Sequence, residues 1–283
     1  MIIGVHGIAE EQLGRAQLLR AWKPALSDGL ELVLGCEPRL LPFDMAFFGN
    51  KFLKPPSDGK AGTGAAGRLD ELGDDEIADL MQAALEVVTQ EDVSAAEAMP
   101  PSKMFGRVPR PLQAVLRALD MRFGAAAGVL YLGSLRQVRQ YLCDAELKSA
   151  VDAIVAKSVR EDTRVLIGHS LGSVVAWEYV RQHSDHALSL FLTLGSPLGL
   201  RMVRSRLPRF GLPGSVPEQV EAWVNLRDPR DPVACGGDVD GIWPGVADRR
   251  VNNGKEAHRA TAYLSKFEAG AAILSALPGL GGA

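Results

Sequence analysis

Arg164-Val-Leu-Ile-Gly-His-Ser-Leu-Gly-Ser-Val-Val-Ala-Trp177 is the stretch on which the reading of this chain turns. Its apolar residues 165–167 have the length and composition of a buried strand, and Gly168-His-Ser-Leu-Gly172 follows at once and opens an apolar-periodic helix. The spacing G-x-S-x-G between a strand and a helix is that of a nucleophile elbow. Ser170 then sits at a sharp, strained turn, and Gly168 and Gly172 let the strand and helix backbones pass closely. Its Oγ is lifted above the sheet edge, and the helix beginning there aims its first free N–H groups at whatever reacts, with Leu171 N–H the natural oxyanion donor. Glycine makes up 30 of the 283 residues, so the five-residue pattern alone is weak; the strand and helix around it carry the reading.

A serine hydroxyl is a poor nucleophile until a base takes its proton, and that base needs an acid to orient it. Of the five histidines, His6 precedes the serine, and His169 lies inside the elbow with its side chain directed away from the nucleophile. His183 and His186 end the following helix, ahead of any suitable acid. His258 remains, in Asn252-Asn-Gly-Lys-Glu-Ala-His-Arg-Ala-Thr-Ala-Tyr-Leu264, a loop leading into a helix. For the acid, Val220-Glu-Ala-Trp-Val-Asn-Leu-Arg-Asp-Pro-Arg-Asp-Pro-Val233 ends an apolar strand in two aspartates, both within Asp-Pro turns. Asp231 is favoured, because the valine that follows would bury the carboxylate beside the imidazole. Asp228 is the alternative, and whichever aspartate is not used forms a turn with its own backbone.

Three blocks together resemble the α/β-hydrolase superfamily, its lipase- and esterase-like branch in particular: Gly4-Val-His-Gly-Ile8, the elbow Gly168-His169-Ser170-Leu171-Gly172, and Thr193-Leu-Gly-Ser-Pro197. The resemblance implies an α/β fold, a mostly parallel central sheet flanked by helices. It also implies that the His-Gly turn supplies the second oxyanion-hole N–H from the next residue, here Ile8. The family sheet usually begins with two earlier strands; this chain starts at the oxyanion strand, so its N-terminal strands are expected to be trimmed.

Residues 1–283 are read as one α/β-hydrolase domain, with residues 50–130 a helical insertion inside it. Pro55-Pro56 and Ser57-Asp-Gly-Lys-Ala-Gly-Thr-Gly-Ala-Ala-Gly67 read as flexible linker. Ile77, Leu80, Met81, Ala84, Leu85 and Val88 then mark one helix face, and Leu112, Val115, Leu116, Leu119 and Phe123 another, after Pro111 at a helix start. The resemblance makes such an insertion a cap or lid over Ser170; a helical hairpin on the flank of the sheet, or an apolar face for a homodimer, are the competing expectations. Near the N-terminus, Leu13, Leu18, Leu19, Trp22 and Leu26 mark a helix expected to kink or end at Pro24 and to close near Gly29. Phe43, Phe47 and Phe48 lie where the next strand meets the pocket, as core or as acyl-pocket lining.

The formal net charge is −3, which gives no case for nucleic acid, and no apolar run approaches the roughly 18 residues of a spanning helix. Cys36, Cys143 and Cys235 are widely spaced and form no disulfide or zinc framework; with no export signal at the start, a cytoplasmic location is expected. Gly236-Gly-Asp-Val-Asp-Gly241 has a calcium loop's alternating aspartates but no distal glutamate, so no metal is assigned, and the chemistry needs no cofactor. Ser196 lacks an elbow and reads as a turn serine. The expected activity is hydrolysis of a small-molecule ester or lipid-like substrate with a hydrophobic acyl group. An amidase, peptidase or thioesterase on the same triad, or a non-catalytic binding protein of this fold, are the alternatives.

Overall fold

The computed structural model describes residues 1–7, 13–53, 72–99, 108–208, 216–234 and 239–281. Its centre is β3 (Val165–His169), every residue of which is buried. Val165 and Ile167 face one apolar cluster and Leu166 the opposite one, as the period of two requires of a strand covered on both faces. β4 (Leu190–Leu194) repeats the arrangement, with Leu190, Leu192 and Leu194 on the first face and Phe191 on the second. These two strands join β1 (Ile2–Val5), β2 (Phe43–Ala46), β5 (Trp223–Arg227) and β6 (Ala247–Arg250) in one parallel sheet of order β2-β1-β3-β4-β5-β6. The mostly parallel sheet flanked by helices is that of a trimmed α/β-hydrolase core with helical insertions.

The strand order locates the site before any side chain is considered. From β1 the chain moves outward to β2, then returns to lay β3 against the other side of β1, so the direction of winding reverses between β1 and β3. The crevice at the carboxyl ends of such a pair is where ligands bind in open α/β sheets. His6-Gly7 leaves β1 there and Ser170 leaves β3 there.

On the first face lies α1 (Arg15–Leu34) with α10 (Ala260–Leu264) and α11 (Phe267–Ala276). Leu18, Trp22, Leu26 and Leu30 recur every four residues along α1 and are buried, each contributing about 1.5–3 kcal/mol. Two expectations for this helix do not hold. It does not end at Pro24, which sits on the exposed side where the carbonyl that loses its partner can turn to water. It also continues past Gly29, which is a packing point and not an end: a Cβ there would lie 2.2 Å from Leu264 O, so the backbones of α1 and α10 touch. The helix stops at Gly35, whose N–H donates to Glu31 O at 2.8 Å.

On the second face pack α2 (Asp74–Leu85), α3 (Gln90–Glu97), α4 (Arg110–Phe123), α5 (Ala127–Cys143), α6 (Ala145–Ser158) and α7 (Leu171–Gln182). The apolar faces of α2 and α4 share one continuous core with α5, α7 and the sheet, Leu80, Leu112, Val115, Leu116 and Leu119 all being buried with Leu135, Val174 and Leu166. Ion pairs fasten α2 to its neighbours: Arg136 Nε–Glu76 at 2.9 Å, Arg139 Nε–Asp79 at 2.7 Å, and Arg206, beyond the short α8 (Arg201–Arg204), to Asp79. The expected linker at 55–67, and the break around 100–102, lie outside the described residues. Between β5 and β6 is the single-turn α9 (Val239–Ile242); Cys235 and the start of the aspartate-rich stretch before it are likewise outside the described residues. No described helix is long and apolar enough to cross a membrane.

Candidate active site

The step from β3 into α7 forces Ser170 to φ 52° and ψ −125°, a conformation that costs an L-residue about 1–3 kcal/mol. Its neighbours hold it there. Ser170 N–H donates to Leu194 O at 3.0 Å, and Ser170 C=O accepts from Ser173 N–H at 3.0 Å and from Ser173 Oγ–H at 2.6 Å. Ser173 has then spent its only hydroxyl proton, so in the 2.7 Å contact between Ser173 Oγ and Ser196 Oγ the proton comes from Ser196. Ser196 Oγ also accepts Leu198 N–H at 3.2 Å, so it is a turn serine that buttresses the elbow from β4.

The elbow presses against the end of β1. A Cβ on Gly172 would meet Val5 O at 2.1 Å and His6 O at 2.4 Å, so no larger residue lets the first turn of α7 approach this closely. A Cβ on Gly7 would lie 2.8 Å from Ser170 Cβ, which sets the His-Gly turn beside the nucleophile. His6 shapes that turn from within: it stacks on Phe48 with centroids 4.1 Å apart, its Nε2 accepts Phe48 N–H at 3.0 Å, and Nδ1–H donates to Gly7 O at 2.8 Å. Burial lowers its pKa to about 4, only partly offset by the bond to Gly7, so the ring is neutral. Phe48 is thus core, Phe43 packs on the opposite face of the sheet, and Phe47 is half-buried beside the His6 ring. Ile8, with Glu10 and Glu11, lies outside the described residues.

The base arrives from the far end of the chain. His258 ends a loop closed by a bond from Asn253 Nδ2 to Ala257 O at 2.9 Å, and α10 begins two residues later. Its Nε2 lies 3.0 Å from Ser170 Oγ, and its Nδ1 lies 2.8 Å and 2.9 Å from the two carboxylate oxygens of Asp231. Nδ1 facing a carboxylate carries the proton, leaving the Nε2 lone pair to accept that of the serine. Ser170 and Asp231 are completely buried and His258 nearly so.

Of the two candidate aspartates, Asp231 meets the imidazole. It leaves β5 through a turn in which its N–H donates to Asp228 O at 2.9 Å, and its Oδ1 accepts Val233 N–H at 2.9 Å. Asp228 instead accepts Arg230 N–H at 2.8 Å, closing an Asx turn, and also takes the Arg230 guanidinium and Asn253 N–H. Burial alone would raise its carboxyl pKa, but these donors outweigh burial and hold it below the usual carboxylate range. Asp228 thereby pins the loop that carries His258 to the end of β5.

Several supporting groups had no signal in the sequence. His169 Nε2–H donates to the backbone carbonyl of His258 at 2.7 Å. Burial, reinforced by the neighbouring His258, pushes its pKa well down, so it acts as a neutral strut under the base. Gly195, at φ 54°, lets the end of β4 pass against the acid: a Cβ there would be 2.8 Å from Asp231 Oδ2 and 3.3 Å from His258 Nδ1. Tyr263 OH donates to Asp231 Oδ2 at 2.8 Å. Tyr263 lies on the helix that follows His258, and no local pattern marks it as a partner of Asp231. Among the described residues, no group of three or more metal-ligating side chains comes together.

Comparisons with protein families, with curated proteins and with solved structures returned no match. The assignment therefore rests on what the chain itself builds. A parallel sheet carries, at its winding reversal, a strained serine elbow, and a histidine and an aspartate from later loops meet it in hydrogen-bonded sequence. The chain has the α/β-hydrolase fold with a serine-hydrolase catalytic centre, Ser170–His258–Asp231.

Proposed function

We propose that the protein hydrolyses carboxylic esters with a hydrophobic acyl group through an acyl-enzyme on Ser170. The observation that carries this reading is the 3.0 Å contact between His258 Nε2 and Ser170 Oγ, with Asp231 already seated on the other ring nitrogen. His258 takes the serine proton as Oγ attacks the carbonyl carbon; the tetrahedral intermediate collapses as the same proton passes to the leaving alkoxide. Water then enters, gives a proton to His258 as it attacks the acyl carbonyl, and His258 returns that proton to Ser170 Oγ as the acyl–oxygen bond breaks and the acid leaves. Asp231 keeps the imidazole in the tautomer this needs and stabilises its charge.

Leu171 opens α7, so its N–H has no carbonyl one turn back within the helix, and it is the first oxyanion donor. Ile8 N–H is the second, by its place directly after Gly7, the residue seated against Ser170. Neither donor needs a metal or cofactor beside it. The helices of the 50–130 insertion, α2 to α4, act as a cap that holds the acyl chain, and the exposed, free Cys36 and Cys143 fit a reducing, cytoplasmic setting.

The test is turnover of p-nitrophenyl esters of increasing acyl length by the native protein and by Ser170→Ala. Activity should fall about 10⁶-fold in the variant, and the optimum chain length sizes the acyl site. Labelling of Ser170 by a fluorophosphonate without any ester turnover would move the reading to an amide or thioester substrate; no labelling at all would overturn it.

A further inference from the structure

The triad accounts for two of the groups that bind the Asp231 carboxylate, His258 and the Val233 N–H. A third has no place in the mechanism as drawn. Tyr263 is completely buried on α10, its hydroxyl 2.8 Å from Asp231 Oδ2 and 2.9 Å from the backbone nitrogen of Asp228. Asp228 N–H can only donate, so the phenol oxygen accepts there and the phenol proton has one destination, Oδ2. His258 Nδ1 lies 2.8 Å from that same oxygen and 2.9 Å from Oδ1. Tyr263 and His258 therefore share Oδ2 of the acid.

We propose that Tyr263 is a positioning residue of the triad: anchored by the Asp228 N–H, its hydroxyl fixes the Asp231 carboxylate and draws off part of the negative charge that stabilises the His258 imidazolium. The inference rests on the serine-hydrolase reading and deepens it.

The geometry gives this role to Tyr263 and to no neighbour. The ring lies on Gly195, where a Cβ would be 3.1 Å from Tyr263 Cε2, so the absence of a side chain at 195 is what lets the phenol reach the acid. α10 carries Tyr263 near its end and begins two residues after His258, so the brace of the acid sits on the element that directly follows the base. Burial, and then the charge of Asp231, push the phenol pKa well above the ordinary tyrosine value, so it stays a neutral donor at any pH where the triad works. Among the described residues, the other titratable groups facing the pair are His169 and Asp228. The His169 ring, 4.9 Å from that of His258 and 6.3 Å from that of Tyr263 between centroids, is neutral; the Asp228 carboxylate is paired with Arg230.

Two variants test it. Tyr263→Phe removes the donor and leaves the ring in place; replacing Tyr263 with 3-fluorotyrosine keeps every contact and makes the donor stronger. Two measurements are made on each. One is the pH profile of kcat for a p-nitrophenyl ester; the other is the pH titration of the downfield Nδ1–H resonance of His258, which needs no substrate.

With Tyr263→Phe the carboxylate keeps more charge, so the acid limb of the profile and the titration of the resonance move to higher pH. kcat falls about tenfold with KM little changed; at about 1.4 kcal/mol, that decade is near the lower end of what a hydrogen bond to an ionised group contributes. With fluorotyrosine both midpoints move to lower pH. Opposite shifts in the two variants support the proposal. If Tyr263→Phe only lowers the melting temperature, and neither variant moves the limb or the resonance, Tyr263 is a packing residue and the proposal is wrong. Failure of the native protein to react with a fluorophosphonate would instead overturn the serine-hydrolase reading, and the resonance would still report on Tyr263.

Discussion

Gly195→Ala places one methyl group where three parts of the catalytic centre meet. The added Cβ would stand 2.8 Å from Asp231 Oδ2, 3.1 Å from Tyr263 Cε2 and 3.3 Å from His258 Nδ1, at a residue whose φ of 54° disfavours any side chain. Holding alanine in that backbone region costs about 1–2 kcal/mol. Relieving an overpacked contact costs about 1–3 kcal/mol more. Together these predict a loss of about 2–5 kcal/mol and a fall in melting temperature of roughly 5–15 °C. The carboxylate oxygen nearest the methyl also holds the imidazole, so relief of the clash moves the base; displacement by ~1 Å is enough to cost about a hundredfold in kcat. Gly133→Ala is the matched control: Gly133 lies within α5 with nothing within 4 Å of its would-be Cβ, so the same change should stabilise by about 0.5–1 kcal/mol and leave kcat alone. Thermal unfolding followed by circular dichroism, together with ester turnover, reads both. If Gly195→Ala melts with the native protein and keeps its kcat, the reasoning that ties this glycine to the acid fails.

Asp231→Asn should lower kcat by about 10⁴ through the wrong imidazole tautomer, whereas Asp228→Asn, which leaves the contacts of the triad itself intact, should cost far less; equal losses would show that the acid has been misassigned. His6 is neutral in the folded chain down to about pH 4 but takes up a proton near 6.5 when unfolded, so stability should fall as pH drops through that window, by up to about 3 kcal/mol. His169, lowered by burial too, adds a slope of the same sign. Urea midpoints from pH 7 to 4 should therefore slope less in His6→Gln than in the native protein, and parallel slopes would count against a buried neutral His6.

What was legible in the sequence was whatever local pattern dictates. The strand, turn and helix around Ser170 are specified within fourteen residues, because two glycines and an apolar run leave the backbone few alternatives. The sheet class came from the resemblance carried by the three blocks at strand ends, and the choice of Asp231 from the valine expected to bury it. Contacts between distant segments were not legible. Gly29 looked like a helix end, because a glycine in a helical pattern signals a stop unless something unseen packs on it, here α10. Pro24 was misread for a related reason: whether a proline breaks a helix depends on whether its orphaned carbonyl can reach water, and exposure is a property of the fold. His169 and Tyr263 were invisible as supports because their partners, a backbone carbonyl and a carboxylate oxygen, lie 89 and 32 residues away.

The same distinction explains how the catalytic centre is assembled. The nucleophile is fixed at its own strained φ and ψ, and Leu194, Ser173 and Ser196 hold it there. The base and acid ride on loops, and loops do not position a side chain to a few tenths of an ångström unaided. Each is therefore tied by a second bond to an element that is itself rigid. The His258 carbonyl is held by His169 at the end of β3, and the Asp231 carboxylate by Tyr263 on α10; the turn between them is held by Asp228 at the end of β5. Both struts are buried neutral side chains whose polar hydrogen points at one acceptor, so neither adds a charge that would compete with the imidazolium. A charged strut at either position would compete with the imidazolium directly; a neutral donor fixes geometry and, at Tyr263, acts on the base only through the Asp231 carboxylate it holds.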